Sequence, residues 1–224
     1  QEKGCETAYD FTQLSSDWVL KNFSIVEWRL QKDLQGISKI PLGEVSSKKM
    51  ISTTRSFEYT YTDIDHIKER VSTFATSCAQ KLRVQKSSCH MLIVQLSSDR
   101  HQKNLEQYRG SRTVVFSYPT DSTLTISSAA IEAVKTLFKS GIKYKRAGVI
   151  VTGLVPNDNF QLNLFSSENP KHKPLMTAID KLNSKFKSDK IKLGNQDLKR
   201  TWKMRQERLS PKYTTNINEI LTVK

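Results

Sequence analysis

Between Met50 and Pro156 the apolar period of the chain switches repeatedly, and the order of those switches leaves few folds open. MISTTRSFEY, from Met50, sets Ile51, Thr53, Arg55 and Phe57 against Ser52, Thr54 and Ser56, the alternation of a half-buried strand. Thr62 or Asp63 can cap a helix in which Ile64, Ile67, Val71, Phe74, Cys78 and Leu82 recur at helical spacing. CHMLIVQLSS and RTVVFSYP follow as two strands separated by the polar stretch DRHQKNLEQYRGS. A second helix, Thr123 to Ser140, carries Leu124, Ile131, Val134 and Phe138 and is closed by Gly141. YKRAGVIVTGLV is the last strand, with Gly148 and Gly153 permitting twist or close approach. The order β-α-β-β-α-β predicts an α+β, ferredoxin-like module. Its antiparallel four-stranded sheet carries both helices on one face and leaves the other face open.

The flanks are helical. Ser24 and Glu27 have capping-box spacing and Gly36 stands at a C-cap position, so SIVEWRLQKDLQG predicts a helix from Ser24 to Gln35 with Ile25, Trp28 and Leu34 on one face. TAYDFTQLSSDWVLKNF before it gives one or two shorter helical turns. GISKIPLGEVSSKK, with Pro41 and Gly43, is expected to run as an extended tether. After the last strand, PLMTAIDKLNSKF predicts a further amphipathic helix and IKLGNQ a short strand. The chain begins with Gln1 and is expected to be part of something longer.

Thirty-six Lys and Arg against 22 Asp and Glu give a formal charge of +14, and the excess falls after residue 48. A field of that sign favours a polyanion. The open face would be flanked by Lys49, Arg55, Arg83, Arg109, Arg112, Lys143, Lys145 and Arg146, with Ser52, Thr54 and Ser56 interleaved. Cations neutralise phosphates, while hydroxyls and strand amides bond them without reading sequence. About five such contacts would give a salt slope near −4 to −5.

Catalysis finds little support. His66, His90, His101 and His172 are scattered, and no HExxH, GxSxG or phosphate-binding glycine loop occurs. No acidic cluster suits two metal ions, so no cofactor is expected in this stretch. Asp63 and Asp65 stand where carboxylates cap a helix, and Cys78 lies on an apolar helix face. Cys5, Cys78 and Cys89 make no CxxC pair, which fits a reducing cytoplasm, and no apolar run reaches membrane-spanning length. An alternative reading is a non-enzymatic RNA-binding adaptor in which Phe116 and Tyr118 stack bases, although the glycine-and-aromatic signature of such modules is missing. A scaffold for acidic protein partners is a third.

QLNLF, Gln161 to Phe165, puts two leucines and a phenylalanine inside a turn-rich linker, and exposed apolar residues there ask for a partner or for a place on their own domain. The pentapeptide resembles the motif by which bacterial polymerases dock on the β sliding clamp. TAYDF, WVLKN, TTRSF, YKRAGV, LMTAIDKLN and WKMRQERLSPKYTT add to it. Together they resemble the C-terminal half of the UmuC-like, ImpB/MucB/SamB-type Y-family translesion DNA polymerases.

The resemblance implies a layout: residues 1–38 as the end of the thumb, 39–49 as a linker, 50–155 as the DNA-binding little finger, 156–170 as a linker with the clamp motif, and 171–224 as a UmuC-type C-terminal extension. It assigns clamp binding to Gln161, Leu162, Leu164 and Phe165. DNA binding goes to Lys49, Ser52, Thr54, Arg55, Ser56, Arg112, Lys143, Lys145 and Arg146, with Arg55 and Ser56 foremost. It implies an error-prone polymerase of DNA damage repair and the SOS response, working on primer-template DNA in the bacterial cytoplasm at the nucleoid. Mg would be held by palm carboxylates that this stretch lacks, so the stretch itself is expected to be inactive. A UmuD dimer and a RecA filament are further partners that it implies.

Overall fold

The computed structural model describes residues 4–39, 43, 46–102, 104–157, 169–186, 189–198 and 208–220. The chain divides into two compact units, residues 1–47 and 48–224. The first holds α1 (Ala8–Gln13), α2 (Ser16–Asn22) and α3 (Ile25–Leu34). The predicted capping box forms at Ser24 and Glu27, a second forms at Thr7 and Asp10, and Gly36 adopts φ +76° beyond α3. Ile25 and Leu34, expected to face inward, are about half exposed. The buried position on α3 is instead Gln31. Its Nε2 donates to the carbonyls of Phe11 (3.1 Å) and Leu14 (2.6 Å), and its Oε1 accepts from the Ser16 hydroxyl at 3.4 Å. A polar side chain thus ties the α1–α2 turn to α3, which apolar periodicity cannot reveal.

The second unit contains β1 (Ile51–Tyr61), α4 (Ile64–Val84), β2 (Ser87–Ser98), β3 (Arg109–Thr120), α5 (Thr123–Leu137), β4 (Tyr144–Pro156) and α6 (His172–Lys185). The first six follow the predicted β-α-β-β-α-β order and make one antiparallel sheet, β1-β4-β2-β3. Each crossover skips one strand, the mark of a split βαβ arrangement. The second and fourth strands are central here, whereas the first and third are central in a ferredoxin-like sheet. Lys48, in the expected tether, is fixed at both backbone groups: its N–H donates to Gln85 Oε1 and its carbonyl accepts from Gln85 Nε2, each at 3.0 Å.

The core lies between the sheet and α4 and α5. Ile67, Val71, Phe74, Cys78 and Leu82 from α4 meet Ile126, Ala130 and Val134 from α5, with Leu92, Val94, Leu96, Val149 and Val151 beneath. Asp63 caps α4 as expected, accepting from the Asp65 N–H. Burial pushes the Cys78 thiol up and the Cys89 thiol to about 12, so both stay protonated and act as packing. α5 stops three residues short of the predicted Ser140. There Phe138 turns extended and stacks on Tyr144, whose hydroxyl accepts the Lys139 N–H at 2.7 Å.

A third layer covers the helices. The described part of residues 171–198 packs on α4 and α5 within the second unit. Met176 of α6 is buried. Asn195 accepts from the Ser72 hydroxyl at 2.8 Å and donates to Ser127 Oγ at 3.0 Å. The predicted strand IKLGNQ is instead a turn, closed by Gln196 N–H to the Leu193 carbonyl and Leu193 N–H to Gln196 Oε1. Arg83 pairs with both Asp180 carboxylate oxygens, at 2.6 and 2.9 Å. It also donates to the Asp121 carbonyl (2.7 Å) and to Thr123 Oγ1 (2.9 Å). With only 12% of the arginine side chain and 30% of the aspartate exposed, Arg83→Ala leaves four acceptor atoms without their donor. A loss of about 2–3 kcal/mol in urea unfolding is expected; a loss under about 0.5 kcal/mol would mean that the third layer contributes little.

Candidate nucleic-acid interface

Residues directly opposite in an antiparallel ladder share a face, so register decides which side chains stand on the open side of the sheet. Ala147, Val149 and Val151 of β4 point into the core with Leu92, Val94 and Leu96 of β2, and the residues between them face outward. One outward row crosses all four strands as Ser56, Arg146, Ser97 and Arg109. The next holds Thr54, Gly148, Gln95 and Ser111, and the next Ser52, Ile150, Ile93 and Thr113. A last row of Thr152, Met91 and Val115 closes the face. Rows lie about 7 Å apart and strands about 4.8 Å apart.

The face is therefore chemically graded. Among the ladder positions charge is confined to one row, hydroxyls and an amide fill the second, and apolar side chains share the other two with hydroxyls. Arg146 and Arg109 are exposed, stand two strands or about 10 Å apart, and make no ion pair among the described residues. That separation lets each guanidinium take its own phosphate. Gly148 is needed in the second row: a Cβ there would come within 2.5 Å of Thr54 Oγ1 and 3.0 Å of its methyl, so glycine lets Thr54 lean across β4.

The predicted DNA-binding residues do not all gather on this face. Ser52, Thr54, Ser56 and Arg146 do. Arg55 and Arg112 are exposed but pair with the core positions Ala147 and Val94, which puts them on the helix side of the two edge strands. Lys143 is exposed just before β4, at the Arg146 end of the sheet, and Lys49 precedes β1 at the opposite end. Lys145 sits at the bulge where β4 shifts register and donates to the Glu58 carbonyl at 3.0 Å. Arg83 leaves the interface altogether, as its ion pair to α6 requires. Ser97, Gln95 and Ser111, which complete the polar rows, carry no sequence signal beyond their alternation; only the register collects them.

Of the two aromatics on which the RNA reading relied, Phe116 packs against the core and Tyr118 is not among the ladder positions of the open face, which hold no aromatic ring. Among the described residues there is no group of three or more His, Cys, Asp or Glu that could hold a metal ion. No helix among the described residues is long and apolar enough to cross a membrane. QLNLF lies outside the described residues.

Comparison with known proteins gives the fold a relationship. Residues 173–223 match a domain family of unknown function, DUF4113. Over 224 residues the chain is 30% identical to Protein UmuC of Salmonella typhimurium, covering 99% of this chain and 53% of that protein. Protein SamB of Salmonella typhimurium is 29% identical, with 99% and 53% covered. Protein MucB of Escherichia coli is 28% identical over 220 residues, with 97% and 52% covered. The chain thus spans about half the length of the curated relatives it matches. Residues 48–164, which hold the whole graded sheet and both helices of its inner layer, match the impB/mucB/samB family C-terminal domain, and the chain belongs to that family.

Proposed function

We propose that residues 50–155 are the little finger of an error-prone, Y-family translesion DNA polymerase of DNA damage repair and the SOS response. Its graded sheet binds the backbone of primer-template DNA. The observation that carries this reading is the row Ser56, Arg146, Ser97 and Arg109 across all four strands, with a hydroxyl and amide row beside it. Such a row bonds phosphates without reading base edges, which suits a polymerase that must hold any sequence. Helices α1–α3 are read as the end of the thumb. The two magnesium ions and the nucleotidyl transfer belong to the rest of the polymerase, outside the described residues. Gln161, Leu162, Leu164 and Phe165 are read as the peptide that docks on the β sliding clamp. Leu175 and Leu182 of α6, 44% and 40% exposed, are read as part of a surface for a UmuD dimer or a RecA filament.

Fluorescence anisotropy with a primer-template duplex and a single-stranded RNA of equal length tests the choice of nucleic acid. The duplex is expected to bind more tightly, with log K falling against log salt at a slope near −4 to −5. Tighter binding of the RNA would favour the adaptor reading, and a flat salt dependence would remove phosphate contacts as the source of affinity.

A further inference from the structure

The two arginines of the basic row are not held alike. Arg146 lies on β4, which is paired on both sides, whereas Arg109 is the first residue of β3, an edge strand with a ladder neighbour on one side only. The residue before Arg109 supplies the missing hold. The Tyr108 N–H donates to Ser98 Oγ at 2.8 Å, and the Tyr108 carbonyl accepts from the Ser98 N–H at 2.9 Å and from its hydroxyl at 3.3 Å. Successive strand residues face opposite ways, so Tyr108 packs against the core while Arg109 stands on the open face. On the helix side the Tyr108 hydroxyl donates at 2.6 Å to the carbonyl of Leu137, the last residue of α5, which the helix cannot pair by itself. Its ring meets Tyr144 edge to face at 5.6 Å, and the Lys139 ammonium lies 5.2 Å from its centre. Tyr144 pairs with Ser98 in the sheet, so Tyr144, Ser98 and Tyr108 form an inward row directly behind Arg146, Ser97 and Arg109.

Gly110 makes this seat possible. A Cβ there would run into the Tyr108 hydroxyl oxygen and come within 2.8 Å of its Cζ, so the ring lies back along β3 over the bare glycine. We infer that Tyr108, seated over Gly110 and bonded to the end of α5, is the positioning residue that holds Arg109 in the basic row to meet a phosphate. The inference rests on reading that row as the DNA-binding surface. Phosphate contacts fix the register of a protein on the duplex, so a guanidinium shifted out of line with Ser56, Arg146 and Ser97 no longer meets its own phosphate. A strand end fixed before DNA arrives also loses less conformational freedom on binding.

The test is fluorescence anisotropy of a labelled primer-template duplex over a salt series, with Gly110→Ala, Tyr108→Phe, Arg109→Ala, and each of the first two combined with Arg109→Ala. Gly110→Ala puts a methyl group where the tyrosine hydroxyl lies, and Tyr108→Phe removes only the bond to Leu137. Gly110→Ala is expected to weaken binding about fivefold to tenfold and to reduce the magnitude of the salt slope by about 0.9, as loss of one phosphate contact does. Tyr108→Phe is expected to cost about twofold to fivefold. In the Arg109→Ala background each is expected to change affinity by less than about twofold, because the group it positions is gone. Equal losses with Arg109 present and absent would mean that Tyr108 serves the fold alone, and would overturn the inference. Should Gly110→Ala fail to fold, Tyr108→Phe and its combination with Arg109→Ala carry the test. Full affinity in Gly110→Ala and Tyr108→Phe, with Arg109→Ala weakened, would overturn the positioning role and leave the basic row standing. Full affinity in Arg109→Ala as well would overturn both.

Discussion

Arg109→Ala/Arg146→Ala is expected to weaken primer-template binding about 30-fold to 100-fold near 0.1 M salt and to reduce the magnitude of the salt slope by about 1.8. Each arginine stands on the single charged row of the open face, and each is expected to neutralise one phosphate. A lost phosphate contact removes about 0.9 from the slope and about tenfold in affinity. The control is Arg55→Ala/Arg112→Ala, which removes the same formal charge from the helix side of the edge strands. Long-range attraction, screened within about 8–10 Å, would cost that variant less than about threefold. If the control loses more affinity than Arg109→Ala/Arg146→Ala, DNA lies along the sheet margins and the open face is not the binding surface. Urea unfolding should separate the two variants little, since all four side chains are exposed.

The contrast between these two arginine pairs marks where reading the sequence succeeds and where it stops. The alternation through Ile51, Thr53 and Phe57 and the helical spacing through Ile67, Val71, Phe74 and Cys78 suffice for the element order, because burial imposes its period directly on side-chain chemistry. Faces are a harder matter. Arg55 falls in the same alternation as Ile51, Thr53 and Phe57, the core side of β1. Its exposure follows from β1 being an edge strand, which needs the order β1-β4-β2-β3. Arg83 looks in sequence like any other cation near a helix end. Its role depends on Asp180, 97 residues later, and no local period encodes a pairing at that separation. Gln31 and Asn195 escape sequence reading for a related reason: a buried amide is defined by the carbonyls and hydroxyls it meets, not by its own polarity.

Leu164→Ala/Phe165→Ala should reduce clamp binding by at least about 100-fold while leaving duplex affinity unchanged. A leucine and a phenylalanine seated in a pocket are anchor residues, and truncation of each costs about 2 kcal/mol or more, or close to 4 kcal/mol for the pair. Against a wild-type affinity in the micromolar range, typical of a short peptide after ordering costs are subtracted, that loss moves binding toward the millimolar range, where calorimetry reads no heat. Both residues lie beyond the strands that carry the graded face, so a parallel fall in DNA affinity would point to misfolding and not to a lost anchor. Gln161→Ala, which removes one polar contact and leaves the apolar anchors, should fall between, at about fivefold to tenfold. The order of the two effects is itself decisive. A larger loss from Gln161→Ala than from Leu164→Ala/Phe165→Ala would mean that the segment is held through polar bonds, and unchanged binding in both would place the clamp contact elsewhere on the chain. On the proposed reading, a clamp held through QLNLF would raise the local concentration of the basic row on DNA toward the millimolar range, so phosphate contacts that are individually weak would suffice.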